Sequence, residues 1–256
     1  MKLNTDPVPP LNLLAAREFS QQQPFLQVAH SHAEAQLHLL WQGSARFQCA
    51  HQHWHLSPGR WCWIAPATPH QLQAHTSLTG AVLHIDAPGA IALNLSTGVY
   101  QSHALLEQLV RQAINLFEQP ARLQRLLAVL ADELMAAKTD RWILNLPQQP
   151  TLQRLAQQIL QQPHADYRLA QMAAQLSMSE RSFSRHFLAQ TGMNFSVWLK
   201  QARMLKASEL LAQGLPLKLV APQVGYQSLT SFSQAFREVS GESPANWQQQ
   251  LLQQAG

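Results

Sequence analysis

Cysteine is scarce in this chain: the two cysteines, Cys49 and Cys62, form neither a disulfide framework nor a Cys-x-x-Cys motif. We expect both to be buried as small apolar side chains, with a redox or soft-ligand role as the alternative. Long apolar runs are also missing, since no stretch approaches the about 20 apolar residues of a membrane span. Near the start, Asp6 and three prolines interrupt the apolar run that a signal peptide needs. We therefore expect a soluble cytoplasmic protein with no membrane partner.

Charged residues are sparse, at 12% of the chain, and they are unevenly placed. Residues 1–150 contain nine Lys/Arg and nine Asp/Glu, whereas residues 151–256 contain nine Lys/Arg and five Asp/Glu. The formal net charge of +4 therefore lies in the C-terminal part. A basic segment favours contact with phosphates, although a solvated basic surface has the same composition.

The pattern of apolar residues changes twice along the chain. From Pro24 to Ile85, short alternating runs separated by Gly and Pro predict a small antiparallel barrel. Helical spacing follows over about residues 100–138, and the segment Leu144–Pro150 is a candidate linker. We predict a two-domain α+β protein with an N-terminal β-barrel domain over 1–143, a linker over 144–150 and an all-α domain over 151–256.

The C-terminal part contains the same plan twice, over Arg168–Phe187 and Leu217–Phe236. Each copy has a short apolar helix face, a turn at Ser177-Met178 or at Gly225, and a second helix that carries two phenylalanines. In the first copy, Ser179 can cap the second helix. This helix-turn-helix arrangement places its second helix in the DNA major groove. Two copies on one chain predict sequence-specific binding to double-stranded DNA.

Residues 150–247 resemble the C-terminal domain of AraC/XylS-type transcriptional regulators. The most specific part of the match is the run Gly225, Tyr226, Ser228, Phe232, Phe236, Gly241 and Pro244. Pro222 departs from the pattern; we expect it near the start of its helix, where a proline costs little. The resemblance implies a bacterial DNA-binding regulator without enzymatic activity, and a contact with RNA polymerase if the protein is an activator.

Candidate DNA contacts lie on the second helix of each unit. Arg181 and Arg185 are one turn apart, and arginine paired with guanine is the commonest base-specific contact. The resemblance implies that these two residues and Ser184 face the bases. On the second unit, the corresponding residues are Leu229, Thr230, Ser233 and Gln234. Arg237 and Lys218 are better placed to contact phosphates. For Ser184 and Thr230, the alternative interpretation is a solvent-exposed position without a DNA contact.

Nine of the twelve histidines precede residue 90. The spacing His30-x-His32-x3-Gln36, followed by a segment that ends at His70, resembles the two motifs of cupin barrels. We expect His30 and His32 to lie on one strand and to point into the barrel with Gln36 and His70. Such a set can bind Zn, Ni, Fe, Mn or Cu. Gln36 replaces the cupin carboxylate, and Ala65 and Ala67 replace the usual Pro and Gly.

Three interpretations of this cluster stay open. It binds a metal, it binds an organic effector through hydrogen bonds with His38 also in the pocket, or it is a structural remnant. In the first two cases the protein is a regulator with a cupin-like sensor. The alternatives are a metal-dependent cupin enzyme and a DNA-binding protein without an effector. Asp86 lies at no motif position, which argues against the enzyme.

Two further expectations concern residues outside the cluster. The alternating His51, His53 and His55 predict an exposed polar strand face, with an accessory metal site as the lesser alternative. The helices over about 100–138 are expected to form a homodimer interface. On this basis, a charged residue at Leu127 or Leu130 should leave the monomer folded and weaken DNA binding.

Overall fold

The structure is a computed structural model that describes residues 11–253 except 23, 75 and 141. Its strands are β1 Leu13–Gln21, β2 Phe25–His30, β3 Ala35–Gln42, β4 Ala45–Cys49, β5 Gln52–Leu56, β6 Arg60–Ile64, β7 His70–Ala74, β8 Leu78–Ile85, β9 Gly98–Gln101 and β10 Ile143–Asn145. Its helices are α1 Ala87–Leu93, α2 Ala104–Asn115, α3 Pro120–Ala136, α4 Pro150–Gln161, α5 Leu169–Gln175, α6 Glu180–Thr191, α7 Phe195–Ala212, α8 Leu217–Gln223, α9 Leu229–Ser240 and α10 Pro244–Gln253. Among the described residues, no helix combines the length and the apolar character needed to cross a bilayer.

The chain forms two compact units. The first contains the described residues of Met1–Ser44 and Leu56–Asp140, and the second contains those of Ala45–His55 and Arg141–Gly256. The hairpin β4–β5 therefore belongs to the same unit as the C-terminal helices, although it lies early in the sequence.

The first unit is built on an antiparallel sheet in the order β1-β8-β3-β6-β9, beside the antiparallel pair β2–β7. At the centre of this sheet, Gln36 on β3 lies opposite His84 on β8 and opposite Ile64 on β6. Alternate residues such as Leu37, Leu39 and Leu83 enter the core. The predicted antiparallel, cupin-like β-structure ahead of a helical part is confirmed.

Helices α2 and α3 pack on this core through one face each. Leu127 and Leu130 are fully buried in the same apolar cluster as the sheet. The expectation that a charge at either position leaves the monomer folded is therefore wrong, because it would place that charge inside the core. The exposed large apolar residues of α3 are Val129 and Met135.

In the second unit, the strands follow the order β10-β5-β4. Strand β10 lies partly in the predicted linker, and its residue Asn145 is tied to the helices that follow. The Trp198 indole donates to Asn145 O at 2.6 Å, and the Asn145 amide donates to Thr191 O at 3.2 Å. Trp142 contacts the rings of Phe236 and Trp247 at 5.6 and 6.1 Å. Aromatic rings from both ends of this unit thus share one core.

Two helix-turn-helix units are confirmed in the C-terminal part. Ser179 and Ser228 cap α6 and α9 by accepting from the backbone N–H groups three residues on. The turn residues Ser177 and Gly225 adopt left-handed conformations, with φ of +54° and +82°. Pro222 lies in the last turn of α8, not near its start. The proline there removes one backbone donor, and the chain turns immediately afterwards.

Candidate functional site

His30, His32 and His70 come together in the first unit. His30 ends β2 and His70 begins β7, and the two residues lie opposite each other in that strand pair. The ring centroids are 4.4 Å apart for His30 and His70, 4.8 Å for His30 and His32, and 5.5 Å for His32 and His70. One ligand nitrogen from each ring lies within 4.8 Å of the others. The expectation of a shared strand is wrong for His32, which follows the end of β2 and precedes β3.

Backbone carbonyls fix the orientation of two of these rings. His30 Nδ1 is 2.8 Å from Val28 O, and His70 Nδ1 is 3.0 Å from Thr68 O. A carbonyl only accepts, so each Nδ1 carries the proton and each Nε2 keeps its lone pair. The Gln27 amide lies 3.2 Å from His30 Nε2 and donates to that lone pair. His70 therefore presents Nε2 as a ligand atom, and a metal at His30 Nε2 would displace the Gln27 amide.

The local environment also lowers the pKa of two of these imidazoles, His32 and His70. Burial lowers the pKa of His32, and its neighbours His30 and His84 lower it further against the raising effect of Glu34. Burial is the main cause that lowers the pKa of His70. Neutral imidazole is the form that binds a metal, so protons compete weakly for these two nitrogens near neutral pH.

Gln36 is directed to another histidine. Its carbonyl oxygen, the atom that would bind a metal, lies 3.1 Å from His38 Nε2 and accepts from it. Burial lowers the pKa of His38 to about 3, with contributions from His70 and His84, so the ring is neutral at physiological pH. The structure thus places the predicted residues Gln36 and His38 together as a hydrogen-bonded pair.

Sequence reasoning did not identify two residues beside the cluster, Glu34 and His84. His84 Nδ1 donates to Glu34 Oε1 at 3.0 Å, and the same oxygen lies 3.8 Å from His32 Nδ1. A backbone N–H and then the His84 hydrogen bond hold the pKa of Glu34 below its usual value. Glu34 lies two residues before the expected carboxylate position, and only the β3–β8 register reveals His84.

The segment His51–His55 differs from the expected exposed face. His51 is exposed, but His53 and His55 retain only 9% and 1% exposure. His55 contacts the Trp247 ring at 5.8 Å, and burial lowers the pKa of His53 to about 4. His53 and His55 therefore pack inside the second unit, whereas His51 precedes β5 and stays outside.

The predicted contact residues of α6 share its outer surface. Arg181 and Arg185 are exposed and Ser184 is half-buried, whereas Phe183 and Phe187 are fully buried. The helix is thus fixed by its aromatic face and leaves its guanidinium groups free to approach a groove.

On α9, the predicted residues line one open depression with a volume of about 750 Å³: Leu229, Thr230, Ser233, Gln234 and Arg237, together with Glu238. Glu238 was not among the predicted contact residues, and its carboxylate would repel phosphates. Lys200 contacts it at 2.7 Å and the Gln234 amide donates to it at 3.2 Å. These contacts offset its charge and orient Gln234.

The sequence matches two family descriptions. Residues 15–195 match the family described as AraC-like ligand binding domain, and residues 172–250 match the one described as Helix-turn-helix domain. The HTH-type transcriptional regulator NimR of Escherichia coli (strain K12) is 26% identical over 221 residues, which cover 85% of this chain and 81% of that protein. The HTH-type transcriptional activator RhaR of Enterobacter sp. (strain 638) is 23% identical over 246 residues, covering 85% and 86%.

Two solved structures are similar to this chain. ToxT from Vibrio cholerae O395 matches with 12% identity, a TM-score of 0.40 and coverage of 93% of this chain and 97% of that one. The C-terminal domain of AraT, a response regulator from Geobacillus stearothermophilus, has 33% identity and a TM-score of 0.37. That match covers 40% of this chain and 85% of that one.

Proposed function

We propose that this chain, which belongs to the AraC family of transcription regulators, controls DNA binding by holding a divalent transition metal at His30, His32 and His70. The chain combines a ligand-binding part with a helix-turn-helix part. Sensing and DNA binding therefore need no second protein. The likeness to regulators favours a regulatory over a catalytic role, and Asp86 caps α1 by accepting from Gly89 N.

The observation that supports the metal proposal is the shared orientation of the imidazoles. Val28 O and Thr68 O fix the tautomers of His30 and His70, and burial keeps His32 and His70 neutral. Outer oxygens that orient metal-binding histidines are a regular feature of such sites. Three imidazoles suit Zn, Ni, Fe, Mn or Cu, so the donors define a class of metal. When bound, the ion would supply a positive charge and an open coordination position.

A second candidate function uses the same pocket without a metal. The Gln27–His30 and Gln36–His38 hydrogen bonds show that these groups pair readily with polar partners. An organic effector would then contact His30, His32, Gln36, His38 and His70 directly.

On DNA, we propose that Arg181, Ser184 and Arg185 contact bases in one major groove, and that Leu229, Thr230, Ser233 and Gln234 do so in the next. Arg237 contacts a phosphate. The exposed positions and the fixed helix faces support this assignment. An effector changes DNA affinity only by its differential affinity for the two states of the protein.

We also propose a cytoplasmic homodimer that contacts RNA polymerase if it is an activator. Val129, an exposed large apolar side chain on α3, is the residue on which we place the dimer surface. Val129→Glu should yield a folded monomer in sedimentation velocity; an unchanged dimer would place the interface elsewhere.

The metal content of the tag-free protein tests the proposed function. Elemental mass spectrometry should find about one equivalent of a transition metal in the wild type and loss of that metal in His32→Ala. The exposed His51→Ala is the matched control and should keep the metal. A wild type that stays metal-free after dialysis against each candidate ion would contradict the proposal and favour the organic effector. DNA affinity insensitive to all metals and small molecules would favour an effector-independent protein.

A further inference from the structure

Glu34 lies beside His32, the third histidine of the cluster. His30 Nδ1 faces Val28 O and His70 Nδ1 faces Thr68 O, at 2.8 and 3.0 Å. The corresponding atom of His32, Nδ1, faces Glu34 Oε1 at 3.8 Å. Each of the three rings therefore has an oxygen on its Nδ1 side, and in the third case that oxygen is a carboxylate.

We infer that Glu34, held by His84, is a positioning residue that directs His32 Nε2 toward the metal. This inference rests on the proposed metal function of the cluster. It assigns the carboxylate of the site to position 34 rather than position 36, and to the surroundings of the metal rather than to its ligands.

Three contacts support a positioning role over direct coordination. His84 Nδ1 donates to Glu34 Oε1 at 3.0 Å, so that oxygen is already oriented from the side of β8. The His32 and His84 rings are nearly perpendicular, at 81°, with centroids 5.9 Å apart. Among the described residues, the ligand atoms that lie within 4.8 Å of one another belong to His30, His32 and His70. Glu34 is not part of this group.

The backbone around His32 is fixed independently. Ala67 N donates to His32 O at 2.7 Å, so the segment that carries Glu34 is tied to the loop before β7. At 3.8 Å, Glu34 Oε1 lies just beyond hydrogen-bond distance of His32 Nδ1. A carboxylate that accepts from a metal-binding histidine fixes its tautomer and raises its basicity. With Gln36 engaged by His38, the protein would supply three neutral ligands and leave one coordination position to an exogenous donor.

Titration with Co²⁺ tests this inference, because its visible spectrum reports the ligand set. Glu34→Gln should weaken Co²⁺ binding by about 10- to 100-fold while the absorption bands of the saturated site stay unchanged. Glu34→Asp should restore part of the affinity, and His84→Gln should weaken binding less than Glu34→Gln. Glu18→Gln, at an exposed carboxylate paired with Arg111 at 3.9 Å, is the matched control and should bind as the wild type does.

The outcomes separate this inference from the proposed function. A wild type that binds no Co²⁺ would overturn the proposed metal function. Wild-type binding with Glu34→Gln equal to it would overturn only the positioning role. A changed band pattern in saturated Glu34→Gln would make Glu34 a direct ligand and would also contradict the inference. Far-UV circular dichroism of each variant verifies folding, and Glu34→Asp keeps the test open if Glu34→Gln does not fold.

Discussion

Removal of Arg46 should destabilise the second unit more than neutralisation of its partner Glu209. Glu209 on α7 keeps only 1% of its side chain exposed and faces Arg46 at 3.3 Å and Lys206 at 3.0 Å. Arg46 and Lys206 keep 28% and 30% exposure, so water still reaches both cations. Loss of Arg46 therefore leaves a buried carboxylate with one fewer cation, whereas Glu209→Gln leaves two cations that can be hydrated.

The expected magnitudes follow from this asymmetry. Breaking a fully buried ion pair costs about 3–5 kcal/mol, and the partial exposure of the cations reduces that figure. We expect about 2–3 kcal/mol for Arg46→Met and about 1 kcal/mol for Glu209→Gln. The double variant should cost less than the sum, with a coupling energy of at least about 1 kcal/mol.

Urea unfolding of the four proteins, together with amide hydrogen exchange in β4 and α7, measures this cycle. The exchange data tell whether the hairpin β4–β5 opens when the ion pair is lost. Additive effects, or a larger cost for Glu209→Gln than for Arg46→Met, would refute the reasoning from burial.

Three further predictions concern pH, backbone conformation and DNA contacts. Burial lowers the pKa of His53 from 6.5 to about 4, so the unfolded chain takes up this proton first as the pH falls. This difference should contribute about 2 kcal/mol to the loss of unfolding free energy from pH 7 to pH 5, and His53→Leu should remove that contribution; a slope unchanged by His53→Leu would contradict it. Ala67 has a φ of +56°, so Ala67→Gly should raise the thermal midpoint by an amount equivalent to about 1 kcal/mol, whereas Ala189→Gly inside α6 should lower it. If both substitutions shift the thermal midpoint in the same direction, Ala67 is not strained. Arg181→Ala should weaken binding to a selected DNA site by about 1–3 kcal/mol and relax its sequence preference, whereas Arg237→Ala should weaken all sequences alike and reduce the salt dependence; the reverse pattern would exchange their roles.

The helix-turn-helix units were predictable because their signals are local. A serine cap, a left-handed turn residue and phenylalanines at helical spacing all act within about 20 residues. Ser179 and Gly225 accordingly occupy the positions expected of them. The histidine cluster was predictable in composition, because its spacing follows a known barrel pattern.

Long-range pairing explains what the sequence did not reveal. His84 reaches Glu34 only because β8 pairs with β3 in a register that places it opposite Gln36. The burial of His53 likewise depends on β5 pairing with β10, where His53 lies opposite Leu144, 91 residues later in the chain. Periodicity identifies a strand face, but only the strand's partners determine whether that face is buried.

The DNA affinity of the wild type and of His32→Ala, each measured with and without added metal, decides whether the metal controls DNA binding. Fluorescence anisotropy on a DNA site selected from a random pool gives the four dissociation constants. We expect the metal to change the wild-type affinity by about 5- to 150-fold, a coupling of about 1–3 kcal/mol, and to leave the affinity of His32→Ala unchanged. A metal-loaded wild type that binds DNA with the affinity of its metal-free form would contradict it.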